Sequence, residues 1–123
     1  MDAHKRRKVR NIFDAIIWNA PELEKICKVW GNQHMLTIAM EECAELIQAV
    51  SKIKRNGSNP VDGEHLAEET ADVLICICEL FLMGYLNVDK TAKIFKEKVK
   101  RSMQRTQDYV KQLEEEAKYN GDF

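Results

Sequence analysis

Apolar positions recur along this chain at intervals of three and four residues, and strict two-residue alternation is sustained nowhere, so helices are the expected elements. Val9, Ile12, Phe13, Ile16 and Ile17 share one stripe and predict a helix over residues 9–18. A short second helix is expected from Pro21, a favoured first helical position, to Gly31. The third runs from about Gln33 to Arg55, with Leu36, Met40, Cys43, Ile47, Val50 and Ile53 marking its apolar side. It ends at the turn signal Asn56-Gly57-Ser58-Asn59.

The next helix begins either at Asn59 as cap with Pro60 in first position, or nearer Gly63 after a longer loop. From Val73 to Met83 it is apolar on every side except at Glu79, a pattern suited to the centre of a bundle and too short to span a bilayer. Gly84 closes it, and Asn87 caps a long, charged, amphipathic helix from Val88 to Lys118. Residues 1–8 are expected as a loose basic start and 119–123 as a loose tail. The expected fold is all-α: a single domain over residues 1–123, a bundle of four to five helices around an antiparallel central hairpin, completed by oligomerisation.

Composition narrows the function classes. With 123 residues, 45% hydrophobic and 32% charged, the chain suits one compact domain, and five Gly and two Pro are too few for the hairpins of an all-β fold. Nineteen basic against twenty acidic residues leave a net charge of −1, so neither specific nucleic acid nor an anionic membrane is an expected partner. The basic run His4 to Arg10 reads as a solvated helix start. No apolar stretch of signal-peptide type follows it, and a cytoplasmic location is expected. Cys27, Cys43, Cys76 and Cys78 lie within apolar helical patterns and are expected as small buried hydrophobes without disulfides. Zinc is disfavoured, since Cys76 and Cys78 would point about 200° apart around a helix.

The informative feature is a pair of acidic clusters, Glu41-Glu42-Cys43-Ala44-Glu45 and Glu68-Glu69-Thr70-Ala71-Asp72, on consecutive helices. Acids three apart project from one side of a helix, so each helix presents two carboxylates about a turn apart. From the midpoint of Glu42 and Glu45 to Arg55 is about eleven residues, and from Pro60 to the midpoint of Glu69 and Asp72 about ten, which brings the clusters level in an antiparallel hairpin. Facing acids repel unless a cation neutralises them, and an all-oxygen set favours a hard ion such as Mg²⁺. The competing reading is a pair of solvated, salt-bridged faces. Di-iron chemistry is disfavoured because no Glu has a His three residues on.

These two blocks, EECAE and EETAD, resemble the Glu-x-x-Glu and Glu-x-x-Asp signature of the all-α nucleoside triphosphate pyrophosphohydrolases, the MazG-like superfamily, over roughly Trp30 to Arg105. The resemblance implies that Glu42, Glu45, Glu69 and Asp72 bind Mg²⁺, with Mn²⁺ as a substitute. It also implies cleavage of a nucleoside triphosphate, canonical or modified, between its α- and β-phosphates, and assembly as a homodimer or homotetramer. Related sequences often carry Lys, Asn and Arg along the last helix, and here Ser102 stands in what looks like the Asn place.

Other residues follow from what such chemistry needs. Glu41 or one of the nominal ligands, Glu42 or Glu45, is a candidate to accept a proton from water. Lys52, Arg55, Lys98, Arg101 and Arg105 are candidate phosphate contacts, and His34 and His65 lie near the acidic faces. Trp18, Trp30 and Phe13 could stack on a base, but at helical spacing they are expected in the core. Glu79 is expected to pair with a basic residue from another helix or subunit. Two alternatives remain: a non-catalytic helical interaction module, and a phosphoribosyl-ATP pyrophosphatase of the same superfamily.

Overall fold

The computed structural model describes residues 1–121, which form four α-helices and no strand: α1 (Ala3–Trp30), α2 (Asn32–Asn56), α3 (Pro60–Leu82) and α4 (Val88–Gly121). The chain divides into two units, Met1–Leu86 with α1 to α3, and the stretch from Asn87 onward, which is α4. All-α architecture with a central α2–α3 hairpin is as expected. Residues 122 and 123 of the expected tail lie outside the described residues, and α4 continues past Lys118 to Gly121.

Where the sequence pattern suggests two N-terminal helices, there is one. Pro21 sits inside α1, where it withholds an N–H and crowds the preceding turn at a cost of about 3 kcal/mol. Packing overrides this local signal: Leu23 and Cys27, beyond the proline, are buried, and Cys27 meets α3. Helix also replaces the expected loose start, because the Asp2 carboxylate caps α1 by accepting the Lys5 N–H at 2.8 Å. The basic run is thus the exposed first turns of a helix.

At the corner between α1 and α2, Gly31 adopts φ +84°, a value that L side chains avoid, and its N–H returns to the Cys27 carbonyl at 2.9 Å. The α2–α3 turn is held by three polar side chains. Asn59 caps α3 by accepting the Asp62 N–H at 2.9 Å, and its amide donates to the Asp62 carboxylate at 2.7 Å. Asn56, at the end of α2, donates to the same carboxylate at 3.2 Å. Hydrogen bonds from Asn59 and Asn56 keep the Asp62 carboxyl below its usual range. This clasp settles the start of α3 at Pro60, the earlier of the two expected positions.

The packed side of α2 differs from the expected one. Met40, Ile47 and Val50 are exposed, the first two at 75% and 70%, and Cys43 is exposed as well. Met35, Ala39, Glu42, Leu46, Ala49 and Ile53 are instead buried or half-buried, a helical stripe that carries an acid into the packed face. Trp18, Trp30 and Phe13, expected in the core, are exposed.

Glu79 of α3 is buried, at 4% exposure, and its partner is not a base: the Cys27 thiol donates to Oε2 at 3.7 Å. Burial pushes the Glu79 carboxyl up, against a smaller lowering by that thiol. Burial and the neighbouring Glu79 raise the Cys76 thiol to about 11, and the buried Cys78 is raised for the same reasons.

Two predictions follow from the packing. Pro21→Ala is expected to stabilise the protein by about 2 kcal/mol in urea unfolding, the interior cost of about 3 less the roughly 1 that proline saves in the unfolded chain. Because the Glu79 carboxyl is raised on folding, its contribution to stability is complete below the unfolded value near 4.5 and is lost as pH rises through the folded one. Glu79→Gln should therefore match the wild-type melting temperature in acid and exceed it increasingly toward neutral pH; parallel melting profiles would contradict this.

Candidate metal centre

Level placement of the two acidic clusters depends on the hairpin, and the clasp at its turn sets that level. Counting back along α2 and forward along α3 by similar numbers of 1.5 Å steps brings Glu42 opposite Glu69 and Asp72. One carboxylate oxygen from each of these three residues lies within 4.8 Å of the other two. Glu69 is buried at 8% exposure, and Glu42 and Asp72 are half-buried.

The electrostatics show how costly this convergence is without a counter-ion. Glu42 is pushed up to about 7, first by burial, then by the charges of Asp72 and Glu45, with Glu69 adding to them. Burial also raises Glu69, reinforced by a hydrogen bond and charge from Glu45 and opposed by His65. Glu45 is exposed yet interacts with both, so it stands at the solvent side of the group.

Two oxygens, Oε2 of Glu42 and Oε2 of Glu69, are shut off from solvent and accept no hydrogen bond. An unpaired buried carboxylate oxygen is unfavourable, and a cation at the convergence point would satisfy both at once. The donor set is entirely oxygen, which suits a hard divalent ion. The residues present therefore fit such an ion, with Glu42, Glu69 and Asp72 as the inner group and Glu45 at its edge.

The remaining candidates are distributed more widely. Glu41 is exposed, about 100° around α2 from Glu42. His65 contacts the group by presenting Nε2 to Glu69 Oε1 at 3.3 Å, one turn away on α3. His34 is exposed and stacks on Trp30, with ring centroids 4.9 Å apart and planes inclined by 22°. Lys52 is half-buried near the hairpin turn, where its charge helps hold Asp62 low, and Arg55 is exposed one turn further along. Lys98, Arg101 and Arg105 are exposed on α4, in the second unit.

Sequence reasoning misses two features. The clasp uses Asn59 and Asp62, whose Asn-x-x-Asp spacing is a legible capping signal, but Asn56 joins it only through the turn. Cys27 as the partner of Glu79 has no signal in one dimension, since 52 residues separate the two.

A model of the MazG nucleotide pyrophosphohydrolase domain matches residues 31–107, a span that contains α2, α3 and both acidic clusters. No curated protein and no solved structure matches the chain.

Crowding of like charges should be measurable in the metal-free state. With a chelator present, Glu42→Gln or Glu69→Gln is expected to raise the thermal midpoint by a few degrees, because each removes a negative charge from the packed α2–α3 face. A lower midpoint in both variants would show that the oxygens are not in repulsive proximity.

Proposed function

The chain belongs to the MazG nucleotide pyrophosphohydrolase domain family, and from that premise we propose that it hydrolyses a nucleoside triphosphate to the monophosphate and pyrophosphate with Mg²⁺ as cofactor. The observation that carries this reading is the convergence of Glu42, Glu69 and Asp72 oxygens within 4.8 Å, with two of the acids leaving an oxygen unpaired. A bound Mg²⁺ supplies charge neutralisation on the phosphates and a more acidic water.

The residues of the chain do the rest. Glu42, Glu45, Glu69 and Asp72 hold the cation, and the rigid hairpin keeps them in place before substrate arrives. Glu45, exposed at the edge of the cluster, accepts the proton of the attacking water, whereas Glu41 projects about 100° away around α2. Lys52 and Arg55 on α2 offer cations to the phosphate chain. The exposed stack of His34 on Trp30 offers a flat face to the base. Modified nucleotides are included in the proposed substrate class, and Mn²⁺ is expected to substitute for Mg²⁺ because it accepts the same oxygen donors.

Purified protein with Mg²⁺ and a panel of nucleoside triphosphates is expected to release pyrophosphate and the monophosphate in equal amounts. Asp72→Asn should lower turnover by about a hundredfold or more, the scale of losing one preorganised electrostatic contact, while helicity by circular dichroism is kept. Orthophosphate as the sole phosphorus product, or full activity in the variant, would overturn the proposal.

A further inference from the structure

Glu69 is the most buried member of the acidic group, and its two oxygens differ in what surrounds them. Oε2 is shut off from solvent and accepts no hydrogen bond, whereas Oε1 lies 3.3 Å from Nε2 of His65. The last torsion of a glutamate side chain is broad and roughly two-fold, so packing around the stem does not fix where the oxygens point. A contact at one oxygen does. Because the carboxylate is planar, holding Oε1 against the ring also sets the direction of Oε2.

We propose that His65 is a positioning residue for the metal centre, donating from Nε2 to Oε1 of Glu69 so that Oε2 is presented to a cation shared with Glu42 and Asp72. This role rests on the reading of the acidic group as a cation site.

The place of His65 on α3 suits it. The residue lies three positions after Asp62 and four before Glu69, so the three side chains follow one another along the packed side of the helix. Asp62 is fixed at the α2–α3 turn by Asn56 and Asn59. The imidazole therefore stands between the clasp that sets the level of the two helices and the buried acid that depends on that level. With 36% of its side chain exposed, against 11% for Glu69, the ring is held partly within the protein, which restricts its rotation more than full exposure would.

Residue type supports the same assignment. A lysine one turn before Glu69 would also reach the carboxylate, but it would set a full positive charge beside a cation site and tie up the acid as an ion pair. A neutral imidazole offers one ring N–H and no charge, so it orients the carboxylate and leaves the negative charge for the cation. Nor does His65 stand as a ligand itself. Among the described residues, the ligand atoms that converge within 4.8 Å come from Glu42, Glu69 and Asp72, and no ring nitrogen joins them.

Titration of the full chain with Mn²⁺ in the absence of nucleotide, followed by the paramagnetic resonance signal of the free ion, tests the assignment. Wild type is expected to bind, and Asp72→Asn to bind more weakly. His65→Leu and His65→Ala should each weaken binding by about tenfold to a hundredfold, the usual cost of losing a group that orients a metal ligand, with helicity kept. His65→Gln, whose amide N–H takes the place of Nε2, should recover the wild-type affinity to within about threefold. Electron spin echo modulation of the bound ion should show no coordinated histidine nitrogen. Wild-type affinity in both His65→Leu and His65→Ala, equal losses in His65→Gln and His65→Ala, or a coordinated histidine nitrogen would each overturn the role of His65 and leave the cation site standing. A wild type that does not bind Mn²⁺, or an Asp72→Asn variant that binds as wild type does, would overturn the reading of the acidic group and the role of His65 with it. The comparison of His65→Ala with His65→Gln remains decisive if His65→Leu fails to fold.

Discussion

Carboxylates held together inside a packed helix pair are the constraint on which the rest of this structure depends. Glu42 occupies a place in the face that α2 packs, where an apolar side chain would stabilise the pair at no electrostatic cost. Glu69 and Asp72 of α3 answer it across the hairpin. Such an arrangement persists only if the scaffold fixes the level of the two helices, and the short turn with its Asn56, Asn59 and Asp62 contacts does so within six residues of chain. A slip of one residue would swing Glu42 about 100° around its helix, away from its partners. The turn and the acidic group are therefore one design read at two ends.

Much of this was legible in the sequence because helical geometry converts spacing into direction. Acids three apart had to share a side, and the similar counts to the turn had to make the clusters level. The family follows from the same blocks. What misled was local signal that packing outweighs. Pro21 marks a helix start in isolation, yet α1 runs through it because Leu23 and Cys27 are buried beyond it. The apolar side of α2 was misplaced because that helix carries two apolar stripes. The stripe with the larger side chains, Met40, Ile47 and Val50, is exposed, and the stripe that contains Ala39, Ala49 and Glu42 is packed. Small residues permit close approach of helices, and hydrophobicity alone does not report that.

Exposed apolar surface recurs on α1, α2 and α4, and single-sequence reasoning cannot separate a core stripe from an interface stripe. Both have the same period and the same composition. What differs between α3 and α4 is the charge on the flanks of the stripe. On α4 the charges divide into a basic and an acidic half. On α3 there are no such flanks from Val73 to Met83, and there the buried residues are Cys76, Cys78 and Glu79.

Glu79 sets the carboxylate cluster in relief. It is as buried as Glu69, but its neighbours are the thiols of Cys27, Cys76 and Cys78 and no second acid, so a proton suffices to neutralise it and its oxygen takes the weak hydrogen bond of Cys27. The cluster cannot be satisfied in that way. Protonating Glu42 alone leaves Glu69, Asp72 and Glu45 within each other's field, and the proton occupies one oxygen while others stay unpaired. One buried acid is a problem that a proton solves; several that converge need a charge able to bind all of them at once. That difference in number, and no difference in burial or residue type, separates a structural glutamate on α3 from the candidate ligand Glu69, almost three turns before it on the same helix.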